Sequence, residues 1–66
     1  MKNNIRIERA FKGLTQEDLA KKVSVSRQTI NAMEANKYVP STVLALKIAR
    51  IFGKPVEEIF ILEKAD

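Results

Sequence analysis

Sixty-six residues with 12 Lys and Arg against 8 Asp and Glu give a net charge of +4, and the chain contains no His, Cys or Trp. A chain of this size makes one domain and buries only about 60% of its unfolded surface, so regular helix packing and association with a second copy are both expected in place of staples. The missing His and Cys exclude the usual proton shuttle near neutral pH, a thiolate nucleophile and a structural zinc site, which leaves an enzyme reading nothing to stand on.

The polar start Met1-Lys2-Asn3-Asn4 lacks the apolar run of a secretory leader. The longest apolar stretches, Val43-Leu44-Ala45-Leu46 and Ile59-Phe60-Ile61-Leu62, are far too short to span a bilayer. A soluble, cytoplasmic protein is expected, with no membrane association, cofactor, metal or small-molecule ligand.

Gly13, Pro40, Gly53 and Pro55 are the only Gly and Pro residues, so regular elements should run between them. The fold class expected is all-α, a compact bundle of five short helices. The first helix is capped by Asn3 or Asn4, carries Ile7, Ala10, Phe11 and Leu14 as its apolar stripe, and ends at Gly13. The second opens at Thr15-Gln16-Glu17-Asp18, where Thr15 caps and the two acids meet the positive helix end; Leu19, Ala20 and Val23 form its buried side. The third opens at Ser26 and buries only Ile30 and Met33. Its outer face of Arg27, Gln28, Thr29 and Asn31 is unlike the Glu/Lys mixture of a solvated helix.

After Asn36-Lys37-Tyr38-Val39-Pro40, the fourth helix is capped by Ser41, buries Leu44, Ala45, Ile48, Ala49 and Phe52, and stops at Gly53. The fifth is short, with Pro55 near its first turn and Ile59 and Phe60 inward. Ile61-Leu62-Glu63 can extend as a strand. Charge is uneven along the chain: residues 1–15 hold four cations and one acid, and residues 41–66 hold four of each. The basic excess lies at the front, and the last third is neutral and apolar.

The run from Gln16 to Ala35 resembles the helix-turn-helix of phage Cro and repressor proteins, the XRE family of transcriptional regulators. The spacing also makes physical sense. Two helices crossing through a short turn need a small residue where they approach, here Ala20, and apolar residues closing the corner, here Leu19, Val23, Val25, Ile30 and Met33. The resemblance continues through Asn36-Lys37-Tyr38 and Leu44 to Arg50, up to Glu57-Glu58-Ile59-Phe60. Ser24 stands where the family often has Gly in the turn; a non-Gly residue at positive φ costs roughly 1 kcal/mol.

Arg27, Gln28 and Asn31 have the donors and acceptors to read base edges, Arg on guanine and Gln or Asn on adenine. The bland alternative, a solvated helix face, gives way inside this motif. The resemblance implies backbone contacts from Gln16, Ser26, Thr29, Asn36, Lys37 and Tyr38, with the loop of the last three acting as a phosphate clamp. It also implies an ion pair between Arg9 and Glu34 across the bundle. Among family members, the chain is similar to the short stand-alone repressors of the cytolysin-regulator kind. That resemblance implies a homodimer and a small antiparallel sheet from residues around Lys2 to Asn4 and around Ile61 to Glu63.

Four consecutive apolar residues from Ile59 cannot all face one small core, so Val56, Phe60, Ile61 and Leu62 are the expected dimer interface. Lys21 and Lys22 read as solvent charges, and Phe11, Phe52 and Phe60 as core or interface, which weighs against base stacking and RNA. The reading is a sequence-specific regulator, in the simplest case a repressor, binding a palindromic operator in double-stranded DNA as a homodimer. Its rival is an antitoxin-like module whose apolar C-terminal third binds a partner protein.

Overall fold

The computed structural model describes all residues from Met1 to Asp66. In chain order it contains β1 (Lys2–Asn3), α1 (Ile5–Lys12), α2 (Gln16–Lys22), α3 (Arg27–Glu34), α4 (Thr42–Phe52), α5 (Val56–Ile59) and β2 (Phe60–Ile61). Five helices, mostly packed on one another, and a two-stranded antiparallel sheet make up the fold. The sheet pairs Lys2 with Ile61 and Asn3 with Phe60, so its second strand begins one residue earlier than the sequence suggests. No helix is long and apolar enough to cross a membrane.

Each helix starts and stops for a local reason. Thr15 and Asp18 form a reciprocal capping box at the start of α2. The Ser26 and Ser41 hydroxyls accept the Thr29 and Leu44 amides at the starts of α3 and α4. Gly13 and Gly53 end α1 and α4 in the left-handed region, at φ 66° and 65°. Ser24 takes φ 60° without being Gly, as expected for the turn between α2 and α3.

The core is built evenly. Ile5, Leu19, Ile30, Ile48 and Ile59, one from each helix, are wholly buried, and Met33 and Phe52 fill the spaces between them. Burying each such side chain stabilises the fold by about 1.5–3 kcal/mol, so truncation of Ile48 to Ala at the centre should cost about 2–5 kcal/mol.

One expectation fails at α1. The stripe Ile7, Ala10 and Phe11 faces solvent, with Phe11 83% and Ile7 56% exposed, and Leu14 is half-buried. A helix has a single inward face, and here Ile5, Glu8 and Arg9 occupy it at i, i+3 and i+4. Glu8 reaches Lys54 and Arg9 reaches Glu34, so two ion pairs rather than the apolar stripe set the rotation of α1. Its cap also differs in detail. Asn4 holds the N-cap position, but the Asn3 side chain accepts the Ile5 amide while the Asn4 side chain donates to the Glu58 carbonyl.

Candidate nucleic-acid interface

The outward face of α3 follows from its inward one. Because Ile30 and Met33 fix which side enters the core, Arg27, Gln28 and Asn31 are turned out and exposed. Arg27 and Gln28 make no side-chain hydrogen bond within the protein, so their donors and acceptors are available in full. Asn31 donates to the Gln16 side chain at 3.4 Å. Ser26 and Thr29 share a hydroxyl–hydroxyl bond of 2.9 Å at the start of α3.

Behind α3 lies the expected ion pair. Arg9 Nε donates to Glu34 Oε2 at 2.8 Å and Arg9 Nη2 to Glu34 Oε1 at 3.1 Å, a two-pronged bond that joins α1 to the end of α3. Arg9 Nη1 also donates to the Leu14 carbonyl at 2.9 Å, which fixes the turn before α2. The side chains are only 16% and 7% exposed, and hydrogen bonding to the Glu34 carboxylate raises the Arg9 pKa further above its already high value.

Gln16 connects this pair to the outer face. Its Nε2 donates to Glu34 Oε1 at 3.3 Å and its Oε1 accepts from Asn31, so the first residue of α2 lies against the middle of α3. A shallow polar concavity opens here, lined by Arg6, Arg9, Gln16, Asn31, Glu34 and Ala35. A second, bounded by Arg9, Thr15, Gln16, Glu17 and Arg27, adjoins it at the start of α2. Arg6 is a cation that the sequence reading did not assign to this region. Its signal was its spacing, three residues before Arg9 on the same helix.

Asn36, Lys37 and Tyr38 lie in the loop directly after α3, all exposed. Asn36 has φ 60°, and the Asn36 and Lys37 amides close the last turn of α3 on the Met33 and Ala32 carbonyls at 3.0 and 2.8 Å. Gln16, the α3 face and this loop thus come from three segments separated in sequence. The fold sets Gln16 against α3, and the loop continues from its end. Such a surface offers the cations Arg27 and Lys37, amide groups and hydroxyls to an extended polyanion.

The residues expected at the dimer interface fall into two groups. Phe60 is largely buried in the core, while Val56 is half-buried and Ile61 and Leu62 are exposed. Val56 and Phe60 line an apolar groove with Met1, Val39, Pro40 and Leu46. Val39, Val43 and Leu46 are exposed beside it, on α4 and the loop before it. These were not read as interface from the sequence. The signal was present in Val43-Leu44-Ala45-Leu46, which, like Ile59 to Leu62, cannot turn every side chain toward one core.

Residues 5–59 match the helix-turn-helix family HTH_3. The chain is 60% identical over 63 residues to a helix-turn-helix-type transcriptional regulator of Methanocaldococcus jannaschii, covering 96% of both chains. It is 47% identical over 64 residues to the helix-turn-helix-type transcriptional regulator YgzD of Bacillus subtilis, covering 97% of each. Among solved structures it resembles a hypothetical transcription factor from Neisseria, with a TM-score of 0.77 and 27% identity. That likeness covers 83% of this chain and 62% of the longer one, so the chain spans less than two thirds of its structural neighbour.

Proposed function

The chain belongs to the HTH_3 family of helix-turn-helix DNA-binding transcriptional regulators, which are not enzymes, and from that footing we propose that it is a repressor acting as a homodimer on a palindromic operator. Each copy places α3 in a major groove of double-stranded DNA, in the cytoplasm, and represses by occupying the site. Arg27, Gln28 and Asn31 read base edges. Gln16, Ser26, Thr29, Asn36, Lys37 and Tyr38 hold the backbone, and Arg6 adds a cation at the edge of the same surface.

The observation that carries this reading is the outward face of α3, where Arg27 and Gln28 have no partner inside the protein. Exposed side chains with unspent hydrogen-bonding capacity on a short, capped helix suit direct readout. The apolar groove of Val39, Leu46 and Val56 supports a second copy at the α4 and α5 side, with the exposed Ile61 and Leu62 as further candidates for its contact.

Selection of bound fragments from random duplex DNA tests the reading. An enriched inverted repeat is the expected outcome, with sedimentation giving twice the monomer mass. Absence of any enriched sequence overturns it in favour of a protein-interaction module.

A further inference from the structure

Asn3 sits on β1 opposite Phe60, yet its side chain makes three bonds away from the sheet. Its Oδ1 accepts the Ile5 amide at 3.2 Å, and its Nδ2 donates to the Met33 carbonyl at 2.7 Å and to Asn36 Oδ1 at 3.1 Å. The direction of this relay is forced. A backbone N–H can only donate, so the Asn3 oxygen faces Ile5 and the Asn3 amino group faces α3. A carbonyl can only accept, which agrees with that orientation at Met33. Asn36 must therefore meet Asn3 with its own oxygen, and its amino group is the end left for solvent.

We propose that Asn3 is a positioning residue that orients the Asn36 amide so that it presents N–H donors to a DNA phosphate. The inference rests on the reading of Asn36-Lys37-Tyr38 as a backbone clamp and names the device that aims its first residue. A phosphate oxygen only accepts hydrogen bonds, so an Asn36 amide turned the other way would meet it with a second acceptor. The positive φ of Asn36 fixes the backbone from which the side chain springs, and Asn3 fixes the amide at its end. One residue of the sheet thus acts on DNA through the loop after α3, without touching DNA itself.

The test uses Asn3→Ser, which keeps an oxygen for the Ile5 amide but removes the amino group, together with Asn36→Gly, which keeps the left-handed backbone. Affinity is measured on operator and random duplexes across a salt series, below the unfolding midpoint of each variant. Asn3→Ser should weaken binding about five- to tenfold on both duplexes, less than the whole of one hydrogen bond to a charged group because the Asn36 amide is misaimed rather than removed. The salt slope should stay unchanged because no cation is lost, whereas Lys37→Ala lowers it by about one unit. Asn3→Ser combined with Asn36→Gly should bind no more weakly than Asn36→Gly alone.

Wild-type affinity of Asn3→Ser, or losses that multiply in the double variant, overturns the proposal while Asn36→Gly still weakens binding. If Asn36→Gly and Lys37→Ala both bind as wild type, the clamp itself fails and the proposal falls with it. Should Asn3→Ser not fold, Asn3→Thr decides: its branched side chain suits the strand, keeps an oxygen for the Ile5 amide and lacks the amino group, so it should weaken binding on both duplexes with no further loss beside Asn36→Gly. Binding at wild-type strength overturns the proposal.

Discussion

Lys54 Nζ lies 2.6 Å from Oε2 of Glu8, a carboxylate buried on the inner face of α1. The bond ties the middle of α1 to the turn after α4, and hydrogen bonding to Glu8 raises the Lys54 pKa. Removal of the lysine leaves a buried carboxylate without its partner. Because the Lys54 side chain is 43% exposed, water screens part of that penalty. Lys54→Met should lower the midpoint of chemical denaturation, and Glu8→Gln in the same background should recover a good part of the loss. Simple addition of the two losses contradicts the pairing.

Arg9 and Glu34 are more deeply enclosed, so the same logic applies with larger amplitude. Glu34→Leu should cost about 3–5 kcal/mol by stranding the guanidinium, and Arg9→Met with Glu34→Leu should cost clearly less than the two single changes summed. The double variant also frees Gln16 from Glu34, so its DNA affinity should fall even where its stability is restored. Full recovery of both would separate the ion pair from the binding surface.

Ser24 holds φ 60° where a glycine would carry no steric penalty. Ser24→Gly should therefore stabilise the protein or leave it unchanged, the relief of roughly 1 kcal/mol being offset in part by greater freedom of the unfolded chain. Ser24→Val should destabilise it by more than that. A thermal melt should place Val lowest and Gly no lower than Ser; a Gly variant melting below the Ser protein refutes the strain.

Base reading and backbone holding separate by salt and sequence. Gln28→Ala should cost ~1 to 3 kcal/mol on the operator and little on random DNA, whereas Lys37→Ala should weaken both alike and lower the salt slope by about one unit. Arg27 reaches either a base or the backbone, and the same two measurements assign it. Equal losses on operator and random DNA for Gln28→Ala would remove α3 from the groove.

The dimer reading moves the critical residues toward α4. Leu46→Lys and Val39→Lys should give a monomer by sedimentation with an intact fold by circular dichroism, since both side chains are exposed in the single chain. Phe60→Lys should instead unfold the protein, because Phe60 is part of the core. If the α4 variants remain dimeric and Leu62→Lys does not, the contact lies in the C-terminal segment alone.

Most of the fold was legible because caps, glycines and apolar spacing agree with one another along the chain. Thr15, Ser26 and Ser41 start helices where such residues should, and Leu19, Val23, Ile30 and Met33 close the corner between α2 and α3. The rotation of α1 was not legible. Its periodicity offers an apolar stripe, and nothing local reveals that Lys54 and Glu34 will draw Glu8 and Arg9 inward from 46 and 25 residues away. The expected Arg9–Glu34 pair came from resemblance, but its consequence for Ile7 and Phe11 requires the three-dimensional arrangement. The α3 face was legible from chemistry. The tie from Asn3 to Asn36 was not, because a single Asn in a two-residue strand carries no periodic signal.

Left-handed residues stand on both sides of α3, Ser24 in the turn before it and Asn36 in the turn after it. A helix bounded this way cannot trade a turn with its flanking loops, since extension in either direction means converting a residue with φ 60° to helical φ while breaking the bonds that hold it. Its eight residues make a rod about 12 Å long, close to the roughly 12 Å width of a major groove. The element proposed to meet DNA is thus a gauge of fixed length, and on that reading changes of target preference can proceed by exchanging outward side chains without altering the backbone that carries them.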